Sequence, residues 1–239
     1  MKIIADTHCH TIASTHAYGT VEEMVRAAAE KGLYAIAITD HCKTMPGAPG
    51  QWYFDNLRVI PDTYLGVRVL KGAEANIIDY DGNIDLEDYL QNQLDWIVAS
   101  MHGVTIDGIP TIDKVTNAYL KLADNPNINV IGHSGTPEFE YYYRTVIKKF
   151  AEKGKLIEIN DSTFRYKKSG RSNCVKIAKI CKELGARIIV NTDSHFQTCV
   201  GIADSAIEML KEIDFPEELI VNTDVERFKS YLRECNINV

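Results

Sequence analysis

Short runs of branched apolar residues alternate along the 239-residue chain with longer stretches whose apolar positions follow the helical period. This alternation is typical of βα units that build a parallel sheet. The apolar runs predict strands at 2–5, 34–39, 68–73, 96–100, 129–133, 156–160 and 187–191. The helical patterns predict helices near 20–31, 55–65, 85–92, 112–123, 173–184, 203–212 and 225–235. The first helix has the clearest end signals, because Thr20 and Glu23 form a capping-box pattern and Gly32 follows the last turn.

Seven parallel strands that alternate with helices close most naturally into a TIM-like (β/α)7 barrel, whose functional groups gather at the C-terminal strand ends. A doubly wound open sheet is the alternative, but it would concentrate a site at one switch point. The polar candidates described below follow six of the seven strands, and a barrel mouth brings them together. We therefore predict an α/β barrel, with residues 1–239 as one domain because no linker, repeat or low-complexity tract divides them.

Histidine is concentrated at the ends of the predicted strands. His8 and His10 are two residues apart, so their side chains can converge on one point if the extended backbone continues past the first strand. The other five histidines each lie just after a predicted strand or in the loop that follows one: His16, His41, His102, His133 and His195. Glu74 follows the third strand and Asp193 the seventh. The pattern predicts a metal site at this end of the barrel.

Nine ligand-type side chains exceed the three or four protein groups that one zinc ion normally takes, so two or three ions are expected. Imidazole and carboxylate without thiolate suit Zn, with Mn or Fe as alternatives, better than Mg. The longer side chain of Glu74 makes it the expected bridge between ions. Cys9 and Cys42 stand beside histidines and are interpreted as structural. Asp6 and Asp40 precede histidines and are expected to orient imidazole N–H groups rather than to bind metal.

Composition narrows the choice of partners. A net charge of −7 and a pI near 5.5 argue against a general nucleic-acid binder and favour small-molecule substrates. No run approaches the roughly 20 apolar residues of a membrane span, and Asp6 comes too early for a signal peptide. The six cysteines include no C-x-x-C pair, which suits a reducing compartment. The sequence thus predicts a cytoplasmic protein with no membrane partner.

Five short motifs occur in order along the chain: Asp6-Thr-His8-Cys-His10, Thr39-Asp40-His41, Ser100-Met-His102, Gly132-His133-Ser134 and Asp193-Ser-His195. Over nearly the whole chain they resemble the motifs of the PHP (polymerase and histidinol phosphatase) family. The likeness is to its small stand-alone bacterial phosphatases, and it implies a distorted seven-stranded barrel with three divalent metal ions. It also implies a partition of ligands: His8, His10, Glu74 and Asp193 for one ion, Glu74, His102 and His133 for a second, and His16, His41 and His195 for a third.

Closely spaced divalent ions can lower the pKa of a bound water and stabilise the attacking and leaving oxygens of a phosphate ester. We therefore expect hydrolysis of a small phosphate monoester by a metal-bound hydroxide, with Glu74 and Asp193 at the reacting centre. One alternative is an amidohydrolase-like C–N hydrolase. Members with a bridging carbamylated lysine carry it at the end of the fourth strand, where this chain has Ser100 and His102. A second alternative is a non-catalytic, metal-binding regulatory module, as resemblance to the PHP domains of DNA polymerases would allow.

A basic segment, 164–171, follows the sixth predicted strand. It carries Arg165, Lys167, Lys168 and Arg171, and a guanidinium at the barrel mouth could clamp a phosphate. Each of these side chains could equally belong to a solvated basic loop. Arg165 and Arg171 are the preferred candidates for binding the substrate phosphate.

Overall fold

The computed structural model describes residues 1–166 and 168–239. Its framework is a sheet of parallel strands that neighbour one another in chain order, with one short antiparallel addition. The strands are β1 (Ala5–Cys9), β2 (Ala35–Ile38), β3 (Thr63–Tyr64), β4 (Val67–Asn76), β5 (Trp96–Ser100), β6 (Val130–Ile131), β7 (Leu156–Asn160) and β8 (Ile188–Asn191). The addition is β3, which pairs antiparallel with β4. The predicted α/β fold, with seven parallel strands in barrel-like order, is confirmed.

The first and last strands of this sheet approach each other and nearly close the barrel. Just beyond the C-terminal end of β1, the backbone N–H of His10 donates to the carbonyl of Ser194 at 2.8 Å. Nearer the N-terminal end of β1, the side-chain Nδ2 of Asn222 donates to the carbonyls of Ala5 (2.7 Å) and Val190 (2.6 Å). A side-chain amide thus replaces ladder hydrogen bonds where the two strands diverge, and it satisfies buried carbonyls that would otherwise lack partners.

Helices occupy most of the segments between the strands. They are α1 (Val21–Glu30), α2 (Gln51–Asn56), α3 (Asp88–Gln93), α4 (Ile112–Leu122), α5 (Tyr143–Glu152), α6 (Asp161–Arg165), α7 (Arg171–Leu184), α8 (Asp204–Glu212) and α9 (Val225–Glu234). The capping box of α1 is present: the Thr20 side chain accepts from the N–H of Glu23, whose carboxylate accepts from the N–H of Thr20 at 2.8 Å. None of these helices, within the described residues, is long and apolar enough to cross a membrane.

The helix predicted near 55–65 is wrong. The structure has α2 in its place, followed by a single 3-10 turn, Leu57–Val59. Ile60 precedes Pro61 and is extended, with φ −74° and ψ 127°. A residue before proline is driven out of the α region by contact with the proline ring, which ends the helix there.

Helix α5, between β6 and β7, was not predicted from the sequence. Its buried residues Val146, Ile147 and Phe150 have the spacing of an apolar helical stripe. The neighbouring charged and tyrosine residues obscured this pattern. The predicted basic loop is likewise largely helical, because Arg165 ends α6 and Arg171 begins α7.

The apolar base of the barrel lies at the N-terminal ends of the strands. Trp96, the first residue of β5, is fully buried, and its ring lies 6.2 Å from Phe228 and 6.0 Å from Tyr231 of α9 between centroids. Aromatic contacts at such separations add to the stabilisation from burial. The terminal helix therefore packs beneath the sheet, and the polar residues of the predicted site lie at the opposite end.

Candidate metal centre

Parallel strands carry the predicted ligands to one end of the barrel. His8 lies within β1 and Glu74 within β4, because both strands extend further toward their C-terminal ends than the apolar runs indicated. The first strand was predicted at 2–5 but spans Ala5–Cys9. The remaining seven follow strand ends: His10 and His16 after β1, His41 after β2, His102 after β5, His133 after β6, and Asp193 and His195 after β8. The structure brings all nine together.

Glu74 lies at the middle of the cluster and is almost completely buried. Its Oε1 faces three Nε2 atoms, those of His133 (3.0 Å), His8 (3.3 Å) and His102 (3.6 Å). Its Oε2 lies 2.7 Å from Nδ1 of His41 and 3.5 Å from Nε2 of His10. The two carboxylate oxygens therefore serve separate sets of imidazoles, as a carboxylate that bridges two ions must.

Asp193 supplies a second carboxylate to the same cluster. Its Oδ1 lies 3.2 Å from Nε2 of His10, 3.8 Å from Nε2 of His8 and 3.5 Å from Nδ1 of His195. The backbone of Asp193 is left-handed, with φ 54°. Such a conformation is costly for residues other than glycine and is found where the surrounding structure enforces it. Here it accompanies a turn that places Asp193 and His195 beside the same imidazole.

The third predicted group lies on the more open side of the cluster. The ring of His16 is 4.6 Å from that of His195 and 5.1 Å from that of His41, between centroids. His41 also contacts Glu74, so it stands between two of the three ligand sets that the family resemblance implied. In each of three groups of residues, the ligand atoms lie within 4.8 Å of one another. The groups are His8, His10 and Asp193; His10, His41 and His195; and His41, Glu74 and His102.

Buried ligand-type atoms crowd together in this cluster, which suits a cation. Nε2 of His8, Nε2 of His10, Nδ1 of His41 and Oε2 of Glu74 are buried, and none makes a hydrogen bond of good geometry among the described residues, although Nδ1 of His41 lies 2.7 Å from Oε2 of Glu74. Leaving several buried polar atoms poorly paired in one place is costly, and a metal ion bound between them would satisfy them together. Imidazole nitrogens and carboxylate oxygens are ligands for Zn, Mn and Fe. The donor set therefore fits divalent transition metals.

The electrostatics of the metal-free cluster are those of ionised carboxylates among imidazoles. Burial alone would raise the pKa of Glu74, but the charges of His41 and His8 outweigh it and hold that pKa well below its usual value. Burial alone would lower the pKa of His8, but Glu158 and Glu74 raise it well above its usual value. Burial lowers the pKa of His102 to about 3. The site thus offers anionic oxygens and at least one imidazole that is neutral throughout the physiological range.

Contrary to the sequence-based expectation, the carboxylates of Asp6 and Asp40 contact no imidazole in the hydrogen bonds and ion pairs of the described residues. The carboxylate of Asp6 accepts hydrogen bonds from the N–H of Thr192 (3.1 Å) and the N–H of Gly201 (2.8 Å). Asp40 accepts from the N–H of Thr11 (2.7 Å) and from the hydroxyl of Ser14 (2.7 Å). The two aspartates hold the loops that carry ligands, and adjacency in sequence gave the wrong hydrogen-bond partners.

Other residues contact the ligand imidazoles on the side away from the cluster. Oδ1 of Asn76 lies 2.9 Å from Nδ1 of His102, and the hydroxyl of Ser14 lies 3.4 Å from Nδ1 of His10. Glu158 lies against Nδ1 of His8 at 2.8 Å. Glu158 is not among the residues predicted from sequence, although a charged residue inside the apolar run of β7 was the available signal. Partners of this kind fix which ring nitrogen is free to bind a metal.

The two candidate arginines lie on the helices that follow β7. Nε of Arg165 lies 2.5 Å from Oδ2 of the buried Asp161, and its Nη2 donates to the carbonyl of Ile202 at 2.6 Å. The guanidinium of Arg171 is exposed and lies 5.8 Å from the centroid of the Phe164 ring. Arg165 is thus committed to a structural ion pair, whereas Arg171 is accessible. Lys167 lies outside the described residues, as does the side chain of Lys168.

Comparison with known proteins identifies the family. The family described as PHP domain matches residues 6–162, and the chain therefore belongs to it, as the five motifs indicated. A "Probable phosphatase" of Caldicellulosiruptor saccharolyticus is 45% identical over 239 residues, which cover 100% of both chains. Another, of Acetivibrio thermocellus, is 43% identical over 233 residues, which cover 98% of this chain and 96% of that protein.

Solved structures share the fold at low sequence identity. Histidinol phosphate phosphatase of Lactococcus lactis, complexed with zinc, L-histidinol and phosphate, has a TM-score of 0.60 and 19% identity over 89% of this chain and 94% of its own. A chain reported among YwqE of Bacillus subtilis and CpsB of Streptococcus pneumoniae, described as metal-dependent tyrosine phosphatases, has a TM-score of 0.57 and 20% identity over 98% of this chain and 96% of its own. These likenesses confirm the barrel-type fold.

Proposed function

We propose that this protein is a metal-dependent phosphoric monoester hydrolase that acts on small phosphorylated substrates. The observation that carries the proposal is the position of Glu74. Its two oxygens face five imidazoles, which lie in or just after strands β1, β2, β5 and β6. The names of the PHP relatives and the ligands of the histidinol phosphate phosphatase support the same reaction class. Clusters of His, Asp and Glu ligand atoms support divalent metal ions. We infer three ions from the family pattern, with zinc first and Mn or Fe as alternatives.

Such ions, when bound, polarise phosphate oxygens and make a coordinated water more acidic, which is the chemistry that phosphate-ester hydrolysis requires. His8, His10, Glu74 and Asp193 would hold one ion, and Glu74, His102 and His133 a second. His16, His41 and His195 would hold the third. The carboxylates of Glu74 and Asp193 keep neighbouring charges fixed in a buried site, where electrostatic interactions are strong. Arg171 is the better placed of the two arginines to meet a phosphate that enters from solvent.

The whole chain is proposed to act as one unit. The PHP match ends at residue 162, yet Asp193 and His195 lie beyond it and share the cluster with His8 and His10. The segment that follows β8 would therefore contribute ligands to the same site as the N-terminal strands. The amidohydrolase alternative gains no support, since β5 ends at Ser100, followed by Met101 and His102, with no lysine at that position.

The test combines metal analysis with a panel of small phosphate monoesters and p-nitrophenyl phosphate. We expect two to three transition-metal ions per chain and turnover that disappears on chelation and returns when metal is added. Less than one ion per chain after reconstitution would refute the metal centre. Full metal content without turnover of any ester would instead favour the non-catalytic, metal-binding module.

A further inference from the structure

Glu158 is a charged residue in the middle of a buried strand. It lies between Ile157 and Ile159 in β7 and is 2% exposed. Its Oε1 is 2.8 Å from Nδ1 of His8, and its Oε2 accepts a hydrogen bond from the backbone N–H of His133 at 2.7 Å. A buried carboxylate is costly unless it is well hydrogen-bonded. The Glu158 carboxylate contacts two candidate ligands, His8 and His133, which are 125 positions apart in the sequence.

Two asparagines complete the hydrogen bonding of this carboxylate. Nδ2 of Asn191 donates to Oε1 at 2.9 Å, and Nδ2 of Asn160 donates to Oε2 at 3.1 Å. Among the described residues, each oxygen of Glu158 therefore contacts one candidate ligand and one asparagine. Nδ2 of Asn160 also lies 3.2 Å from Oδ2 of Asp193, which connects the network to the second carboxylate of the cluster.

These contacts determine how His8 is presented. An ionised carboxylate only accepts hydrogen bonds, so Nδ1 of His8 must carry the proton that Glu158 accepts. The lone pair of a neutral His8 then belongs to Nε2, which is buried, has no hydrogen-bond partner among residues 1–166 and 168–239, and lies 3.3 Å from Oε1 of Glu74. The same carboxylate holds the N–H of His133, whose φ of 21° is unusual for a residue other than glycine.

We propose that Glu158 is the positioning residue for His8 and His133 and that it sets the affinity of the ions they hold. This inference rests on the metal binding of the proposed function but not on turnover. Glu158 is not itself assigned as a ligand, because both of its oxygens already contact Nδ1 of His8, the backbone N–H of His133 and the amides of two asparagines. Loss of an outer partner of this kind typically lowers metal affinity about 10- to 100-fold.

The test replaces Glu158 by Gln, which keeps the size of the side chain but turns one acceptor into a donor. The new NH2 must face either Nδ1–H of His8 or the N–H of His133, so one contact is lost in either orientation. Asp161→Asn is the matched control. Asp161 is a buried carboxylate three positions further on that contacts Arg165 and the N–H of Ala206 but none of the nine ligands in the hydrogen bonds and ion pairs of the described residues.

Zinc affinity is measured by chelator competition, and the ring protons of histidine by 1H–15N correlation on zinc-loaded protein. In the wild type, we expect His8 to bind zinc through Nε2 and to show a strongly hydrogen-bonded Nδ1–H resonance. E158Q should bind zinc about 10- to 100-fold more weakly, and its Nδ1–H resonance should be shifted. D161N should keep the zinc affinity and the Nδ1–H resonance of the wild type. Wild-type His8 coordinated through Nδ1 would overturn the proposal even if E158Q does not fold. Affinity of E158Q within twofold of wild type, or an equal loss in D161N, would also overturn it. Neither readout depends on phosphate hydrolysis.

Discussion

The phenol of Tyr53 donates a hydrogen bond to Oδ2 of Asp40 at 2.5 Å and so connects helix α2 to a buried carboxylate beside the histidine cluster. Asp40 also accepts from the hydroxyl of Ser14, which in turn lies 3.4 Å from Nδ1 of His10 and accepts from the N–H of His41 at 3.1 Å. The segment after β2 is therefore anchored at the base of the candidate site through a continuous set of hydrogen bonds.

Replacing Tyr53 by Phe removes one donor from the fully buried Asp40 and leaves the aromatic ring in place. We expect a loss of about 1–3 kcal/mol in the free energy of unfolding, the usual cost when a buried polar group loses a partner. Denaturant unfolding measures it. Tyr89→Phe is the control, because the Tyr89 hydroxyl donates to Asp55 at an exposed position. Equal small changes in both variants would show that the Tyr53 contact does not stabilise the fold.

Glu74→Gln keeps the size of the side chain but removes its charge and much of its strength as a ligand. Because both oxygens of Glu74 face imidazoles, we expect metal content and turnover to fall together, with turnover lower by at least the roughly 10- to 100-fold typical of losing an outer partner. Elemental analysis and p-nitrophenyl phosphate turnover measure the two effects. Glu140→Gln, at an exposed position, should change neither. Unchanged turnover in Glu74→Gln would remove Glu74 from the centre.

The two arginines are expected to differ when each is replaced by Ala. Arg165→Ala leaves the buried Asp161 without its cation, so the free energy of unfolding should fall by about 3–5 kcal/mol, as when one partner of a buried pair is removed. Arg171 is exposed, so its loss should barely change stability. If it binds the phosphate, kcat/KM should fall by the equivalent of about 1.5–3 kcal/mol while metal content stays constant. If Arg171→Ala keeps the kcat/KM of the wild type, Arg171 does not bind the phosphate and is a solvated surface group.

The convergence of the nine candidate ligands could be predicted from sequence because each one follows from a local pattern. An apolar run predicts a strand, and parallel strands bring the residues at their C-terminal ends to one edge, so His102 and His133 converge without any long-range information. The same logic located Glu74 and Asp193. The predicted class of fold and the family resemblance are confirmed as well.

The layer behind the ligands could not be predicted in this way. Glu158 is 150 positions from His8, and its contact depends on the register of β7 beside β8 and on the near-closure of the barrel. Asp6 and Asp40 looked like partners of histidine because they are close to histidines in sequence. Their carboxylates instead accept from backbone N–H groups and hydroxyls of the surrounding loops. Local patterns do not contain such three-dimensional choices.

Turnover is expected to be best at neutral to alkaline pH and to fall below about pH 6, because imidazole with an ordinary pKa near 6.5 binds metal only when neutral. In the metal-free protein burial lowers the pKa of His41, but the charge of Glu74 outweighs it and raises that pKa; the pKa of His8 is raised in the same way. A raised pKa extends the range in which protons compete with metal, so metal affinity should still increase with pH above 6.5, with protons released on binding. Calorimetry in buffers of different ionisation enthalpy measures that release, and activity lost in acid should return when metal is added at neutral pH. An optimum near pH 5 with full metal retention would contradict a mechanism that depends on these imidazoles and on an acidified water.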